Sequence, residues 1–301
     1  MILTILGCHS ATPKTFHNPT SQLLEVKGHL FLIDCGEGTQ VALRKSKVKF
    51  ARIKHIFISH LHGDHFYGLI GLISTFTLLG READLNIYGP KGIKEIITLQ
   101  LKLSKSWTNY SLLFHELDSK ISEKLFEDEK VEVFTIPLDH RVYTNGYLFK
   151  EKTGERKLNP KAAIEANIDK SYFRKLKMGE DVVNEKGQLI PNQQVTFPPE
   201  PPKSYAFCSD TAFKPEISPQ IEGVTALYHE ATFLEEHLHL CEKTKHSTAK
   251  QAATIARDAG VEQLILGHFS TRYDDLNLFL EEAKEVFEET SLAADYKVFE
   301  I

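Results

Sequence analysis

The stretch "HIFISHLHGDHFYG", residues 55–68, runs from an apolar segment directly into three histidines and an aspartate within six positions. Side chains alternate along an extended strand, so His60 and His62 project the same way. A turn through Gly63 can then swing Asp64 and His65 toward a second point. One short loop can thus present two histidines to one metal ion and an Asp–His pair to another. Imidazole and carboxylate donors suit zinc, with bonds of about 2.0–2.2 Å. Zinc takes about four ligands, so two ions need more donors than this loop carries. Other strand ends supply candidates: His140 closes "VFTIPLDH", Asp210 closes "YAFCSD" and His268 closes "LILGH". A lone histidine at a strand end is usually structural. Three suitable strand ends added to H-x-H-x-D-H make chance a poor account.

The surrounding pattern is that of an α/β protein. "MILTIL", "SQLLEVKGHLFLIDCG" and "HIFISH" read as strand segments. "GLIGLISTFTLLG" is apolar nearly all round, as a buried helix would be. "DLNIYGP" and "KVEVFTIPLDH" read as further strands, with a helical "KGIKEIITLQLKL" between them. Toward the C-terminus, "VTALYHEATF" and "VEQLILGHFSTRY" are strands running into polar turns. "STAKQAATIARDAG" reads as a helix ending at Gly260, "DDLNLFLEEAKEVFEET" as an amphipathic helix and "DYKVFEI" as a closing strand. Strands alternating with helices point to a layered α/β fold. Residues 150–203 break this pattern, being polar, basic at first and proline-rich later. An excursion of that length in a compact domain signals a functional insertion, and "AAIEANIDKSYFRKLK" has too much helical character for a bare linker.

Charge and cysteine usage narrow the function classes. A net charge of −5 argues against a protein that coats nucleic acid over its whole surface. Basic runs do occur locally. "LRKSKVKFARIK" (43–54) contains six Lys/Arg and no acid, and 150–178 contains nine Lys/Arg against four acids. Cys8, Cys35, Cys208 and Cys241 are scattered without a C-x-x-C pair, which fits reduced thiols and a cytoplasmic location. No apolar stretch approaches the ~20 residues that cross a bilayer, and the N-terminus lacks the basic start of a secretory signal.

"SHLHGDH", His140 in "LDH", Asp210 in "SDT" and His268 in "GHFSTRY" resemble the metallo-β-lactamase superfamily in order and spacing. Within it, "LIDCGEGTQ" (32–40), "YHEATF" (228–233) and the intervening His246 resemble the short form of the ribonuclease Z family of tRNA 3′-processing endonucleases. The resemblance spans nearly the whole chain, and the HEAT–His246 pair is its most discriminating part. It implies a single four-layer αββα sandwich over 1–301, with an inserted protruding arm at 150–203 that recognises tRNA. It further implies two zinc ions per subunit, manganese or iron being compatible with the same donors. One ion would take His60, His62 and His140, the other Asp64, His65 and His268, with Asp210 bridging. Asp34 would hydrogen-bond behind the ligands and orient them.

The implied reaction is an in-line attack by hydroxide between two metals about 3.5–4 Å apart. It would leave a 3′-hydroxyl on the tRNA and a 5′-phosphate on the trailer. Asp64 would orient the attacking group or accept its proton, and His246 would protonate the leaving oxygen with Glu230 holding its ring. Lys170, Arg174, Lys175 and Lys177 of the arm have spacings that a helix can turn toward phosphates. Precursor tRNA and a second copy of the chain are the expected partners, with no membrane involved. The arm sequence "IDKSYFRKLK" and the loop "PKTFHN" (13–18) depart from the family pattern, so the cut position and the response to an encoded CCA do not carry over. The rival reading is a zinc phosphodiesterase for a small molecule on the same fold, in which the arm is incidental.

Overall fold

A computed structural model describes residues 1–301. Its larger unit comprises Met1–Glu127, Val131–Lys150 and Lys203–Ile301 and is built on two seven-stranded sheets. The first sheet contains β1 (Ile2–Gly7), β2 (Ser21–Val26), β3 (His29–Ile33), β4 (Ile53–Phe57), β5 (Leu85–Pro90) and β6 (Leu112–Leu117). The second starts with β7 (Lys124–Glu127), β8 (Val131–Pro137) and β9 (Asn145–Glu151). Four short strands stand outside both sheets: β10 (Lys157–Leu158), β11 (Val182–Val183), β12 (Leu189–Ile190) and β13 (Thr196–Phe197). The second sheet is completed by β14 (Ser204–Cys208), β15 (Ala226–Glu230), β16 (Gln263–Gly267) and β17 (Thr290–Leu292). Finally β18 (Val298–Glu300) pairs antiparallel with β1, placing the two chain ends side by side in the first sheet.

Burial on both faces explains why the central strands read as apolar runs. On β3, Phe31 and Ile33 face the second sheet while Leu30 and Leu32 face helices. Aromatic rings fill the space between the sheets. Phe31 meets Phe149 at 5.4 Å between centroids, and Phe57 meets Tyr147 at 5.2 Å. The outer face of the first sheet is covered by α1 (Thr39–Lys45), α3 (Leu69–Leu78) and α4 (Ile93–Leu103), with the short α2 (Gly63–Phe66) leading into α3. Three further helices, α5 (Pro160–Glu165), α6 (Phe173–Lys177) and α7 (Asn192–Val195), belong to the smaller unit. The second sheet is covered by α8 (Leu238–Thr244), α9 (Ala249–Asp258) and α10 (Asn277–Lys284). The layers therefore run helices, sheet, sheet, helices.

Local chemistry sets the element boundaries. "SQLLEVKGHLFLIDCG" folds as a hairpin, because Lys27 and Gly28 both adopt left-handed backbone (φ 49° and 92°) in its turn. Thr248 caps α9 in a reciprocal capping box with Gln251, and Gly260 (φ 60°) follows its last turn. The apolar α3 segment is buried on one side only. Leu69, Leu72, Ile73 and Phe76 are interior, whereas Leu78 is 86% exposed.

The smaller unit, Asp128–Lys130 with Glu151–Pro202, has a core of its own. Ala163, Ile168, Leu176, Val182 and Val195 are buried together, flanked by Leu158, Phe173 and Ile190. Two ribbons, β10–β13 and β11–β12, frame this cluster. The helical stretch 162–177 is interrupted, since Asn167 turns left-handed (φ 53°) and a 3₁₀ turn, Lys170–Tyr172, precedes α6.

Candidate metal centre

The site is assembled at the C-terminal ends of strands. The segment after β4 provides Ser59, His60 and His62, and α2 provides Asp64 and His65. His140 follows β8, Asp210 follows β14, Glu230 ends β15 and His268 follows β16. Parallel pairing of β14, β15 and β16 brings three of these ends into line. Asp34 and His268 each adopt left-handed backbone (φ 56° and 60°) in the residue after a strand. Such a conformation costs a non-glycine residue roughly 1–2 kcal/mol, and strain of this kind gathers at functional sites.

Seven side chains form two groups that share one carboxylate. His60 Nε2 and His62 Nδ1 are 2.9 Å apart, and His140 Nε2 is 3.3 Å from His62 Nδ1. Asp210 Oδ2 faces this group, 3.5 Å from His60 Nε2 and 3.9 Å from His140 Nε2. On the other side Asp64 Oδ2 lies 3.3 Å from His65 Nε2 and 3.4 Å from His268 Nε2. Asp210 Oδ1 faces that group, at 3.4 Å from His65 Nε2 and 3.2 Å from His268 Nε2. Donors bound at ~2.0–2.1 Å around a tetrahedral ion stand about 3.3 Å apart. The second group has that spacing, at 3.2–3.4 Å, and the first brackets it, at 2.9–3.9 Å.

The tautomers follow from what lies behind the rings. His65 Nδ1–H donates to Asp34 Oδ2 at 2.7 Å, and His140 Nδ1–H to the Lys245 carbonyl at 2.8 Å. The Ser59 hydroxyl donates to Asp34 Oδ2 (2.8 Å), so its oxygen accepts His60 Nδ1–H at 3.0 Å. The Thr232 hydroxyl donates to Glu230 Oε2 (2.7 Å) and accepts His268 Nδ1–H at 2.9 Å. Each of these four rings is left with an Nε2 lone pair directed inward, the state a metal ligand needs. His65 Nε2 is buried and hydrogen-bonds to nothing, although carboxylate oxygens lie nearby. It is aimed at the space between them. The donor set therefore fits cations.

Protonation preferences agree for His60, His62 and His140 and differ for His65. Burial lowers His60, His62 and His140 from the ordinary imidazole value and keeps them neutral. Burial also opposes charge on His65, but Asp210, Asp64 and Asp34 outweigh it and raise this ring well above the ordinary value. Burial pushes Asp64 up, yet His65 and His268 hold it below the carboxylate range, and Asp210 is held down in the same way. The carboxylates around His65, Asp34 at Nδ1 and Asp64 and Asp210 at Nε2, thus draw positive charge to this ring, a charge that a cation at Nε2 would supply in place of the proton.

Glu230 and His246 form a second arrangement at the same cleft. Glu230 Oε1 accepts His246 Nδ1–H at 2.8 Å together with the Thr211 and Ser247 amides (3.0 and 3.1 Å). Burial lowers His246, but the Glu230 charge outweighs it and raises the ring to about 9. A cleft of about 400 Å³ is lined by His62, Asp64, Arg141, Asp210, His246 and His268. Arg141, Ser59 and Thr232 are contributors that the sequence reading did not single out. Each is adjacent to a ligand or lies within HEAT-F, but no spacing rule marks them. Lys170, Arg174, Lys175 and Lys177 lie in the smaller unit and are exposed.

Comparison with known proteins locates this geometry. The ribonuclease Z of Bacteroides fragilis is 48% identical over 293 residues, covering 97% of this chain and 96% of that protein. The ribonuclease Z of Porphyromonas gingivalis is 47% identical over 289 residues, covering 96% and 95%. The chain belongs to the ribonuclease Z family. The crystal structure of human tRNase Z, short form, superposes with a TM-score of 0.72 at 28% identity, covering 100% of this chain and 99% of that one. A metallo-β-lactamase fold protein from Bacillus subtilis has a TM-score of 0.69 at 18% identity, over 99% and 98% of the two chains, and shares the fold. The family described as "Anti-Pycsar protein Apyc1" matches residues 1–147. Membership of ribonuclease Z on the metallo-β-lactamase fold makes the chain a metal-using endoribonuclease. No helix of the structure is long and apolar enough to cross a membrane.

Proposed function

We propose that this ribonuclease Z removes the 3′ trailer of precursor tRNA with two zinc ions per chain. The observation that carries the reading is Asp210, whose two oxygens face separate groups of ligand-competent atoms. His60, His62 and His140 would hold one ion, Asp64, His65 and His268 the other, and Asp210 both. Bound there, the ions supply Lewis-acid stabilisation of phosphoryl charge and make a water acidic enough to react near neutral pH. Asp34, Ser59 and Thr232 keep the ligand rings in the required tautomers.

The protein's own groups handle the protons. Asp64 accepts a proton from the attacking water or orients it. As the bond between phosphorus and the 3′-oxygen of the tRNA breaks, His246 gives that oxygen its Nε2 proton, and Glu230 stabilises the imidazolium until then. The products are a 3′-hydroxyl on the tRNA and a 5′-phosphate on the trailer. The smaller unit, 151–202, acts as the tRNA-binding arm, with Lys170, Arg174, Lys175 and Lys177 meeting backbone phosphates; folded RNA is read largely by shape and backbone. A homodimer is supported by exposed apolar side chains on α3, at the end of α4 and just beyond it, among them Leu78, Leu103 and Trp107. Four buried, unpaired cysteines support a reducing, cytoplasmic setting.

The test is to purify the protein, measure its bound metal, offer a 3′-extended tRNA lacking CCA and sequence both products. Cleavage with a 3′-hydroxyl and a 5′-phosphate is expected. A metal-loaded protein that leaves this RNA intact, or produces a cyclic phosphate, refutes the proposal. A parallel assay on a small phosphodiester addresses the rival. If removal of the arm cations weakens both activities equally in a folded protein, the small-molecule reading wins.

A further inference from the structure

Apart from the two ligand groups, Cys8, His9 and Asp295 bring a thiol, an imidazole and a carboxylate together, one donor atom of each within 4.8 Å of the others. Cys8 directly follows β1, and Asp295 lies just before β18, so the pairing of the chain's two ends creates this meeting. Cys8 Sγ is 3.7 Å from Asp295 Oδ1. A tetrahedral zinc bound by sulfur at ~2.3 Å and by oxygen at ~2.0 Å holds the two about 3.5 Å apart. His9 is only 6% exposed, and it lines the adjoining cleft. Burial first, then the charges of His17 and Lys14, lower His9 to about 4 and keep it a neutral donor at physiological pH.

We propose that Cys8, His9 and Asp295 form a third, mononuclear site for a soft divalent cation such as zinc, adjoining the cleft that His9, Lys14 and His17 line. That cleft measures about 550 Å³ and extends to Asp64, so the ion is a neighbour of the catalytic centre. Thiolate, imidazole and carboxylate are all zinc ligands, and three protein ligands leave one position open. Binding displaces to solvent the thiol proton that Cys8 donates to Asp295. The Cys8 carbonyl accepts the backbone N–H of His268 at 2.8 Å. Filling the site therefore stiffens the peptide that anchors His268.

Cobalt(II) loading of the full chain tests this without any assay of catalysis. The two His/Asp groups contain no sulfur, so a thiolate-to-cobalt charge-transfer band in the near ultraviolet reports only a cysteine-bound ion. The band is expected as cobalt is titrated past two equivalents, and binding of one ion per chain is lost together with the band in Cys8→Ser. His9→Asn should weaken or abolish the same band. A folded protein that takes up excess cobalt with no thiolate band overturns the proposal, as does a band that persists in both variants.

Discussion

The Glu230 carboxylate, wholly buried, accepts the Nδ1–H of His246 at 2.8 Å and so favours the charged form of this ring. A general acid must carry its proton, so the rate falls as pH rises through its pKa. With Glu230 ionised that pKa stands near 9; without that charge burial and Arg141 lower the ring while Asp210 still raises it. Glu230→Gln should therefore move the alkaline limb of the kcat profile downward by two units or more, on the order of the shift that a close charge produces. Bound cations lower both values, so the comparison is between variant and parent under identical metal loading. His246→Ala should lose roughly 10²–10⁴-fold in kcat. An alkaline limb unmoved in Glu230→Gln would remove His246 from the proton-donor role.

Thr232 links this pair to the proposed ligand His268, because one hydroxyl donates to Glu230 Oε2 and accepts from His268 Nδ1. Thr232→Val keeps the shape and deletes both bonds. The expected result is a loss of about 1–3 kcal/mol of stability from the unpaired buried groups. Metal affinity should fall roughly 10–100-fold, as is typical when a group behind a ligand is removed. Competition with a graded series of chelators measures the affinity. Parental affinity in the variant would mean that the Thr232 hydroxyl serves packing alone.

Removing the metal should lower stability as well as activity. The side chains of Asp64 and Asp210 are only 6% and 4% exposed, and negative charge gathered there is compensated by cations. A ligand that binds only the folded state stabilises it by about 2.7 kcal/mol at a concentration 100 times its Kd. The melting temperature should thus climb steadily with the logarithm of free zinc, and chelation should reverse the gain. Asp210→Asn, which weakens both ligand groups together, should flatten that dependence. A melting temperature indifferent to zinc would contradict a metal centre at these residues.

The convergence of these seven donors was legible in the sequence because each ends an apolar strand, and strand ends at one edge of a sandwich have few other places to go. His60, His62, Asp64 and His65 lie within six positions, and His140, Asp210 and His268 each close a buried run. The hydrogen bonds behind them were not legible. Ser59 and Thr232 act through contacts with Asp34 and Glu230 that depend on how distant loops meet, and neither residue type is distinctive at its position. The one-sided burial of α3 was likewise hidden, since an apolar helix end looks the same whether it faces a core or solvent. In the arm, Asn167 turns left-handed and interrupts a segment whose composition favours helix, a tertiary choice that propensity does not record.

The cations of the smaller unit provide the prediction that separates substrate recognition from chemistry. Lys170, Arg174, Lys175 and Lys177 are exposed, on a 3₁₀ turn and the short α6, while Leu176 between them is buried in that unit's own core. Replacing the four cations by alanine leaves that core untouched, so the unit should stay folded. Each lost phosphate contact reduces the slope of log affinity against log salt by about 0.7–0.9. The variant should therefore bind precursor tRNA more weakly and with a shallower salt dependence, with KM rising and kcat nearly preserved. Its rate on a small phosphodiester should match the parent, because no proton or ligand in the centre has changed. A full salt slope in the variant would place the RNA on other residues, with the 43–54 basic run the first to examine.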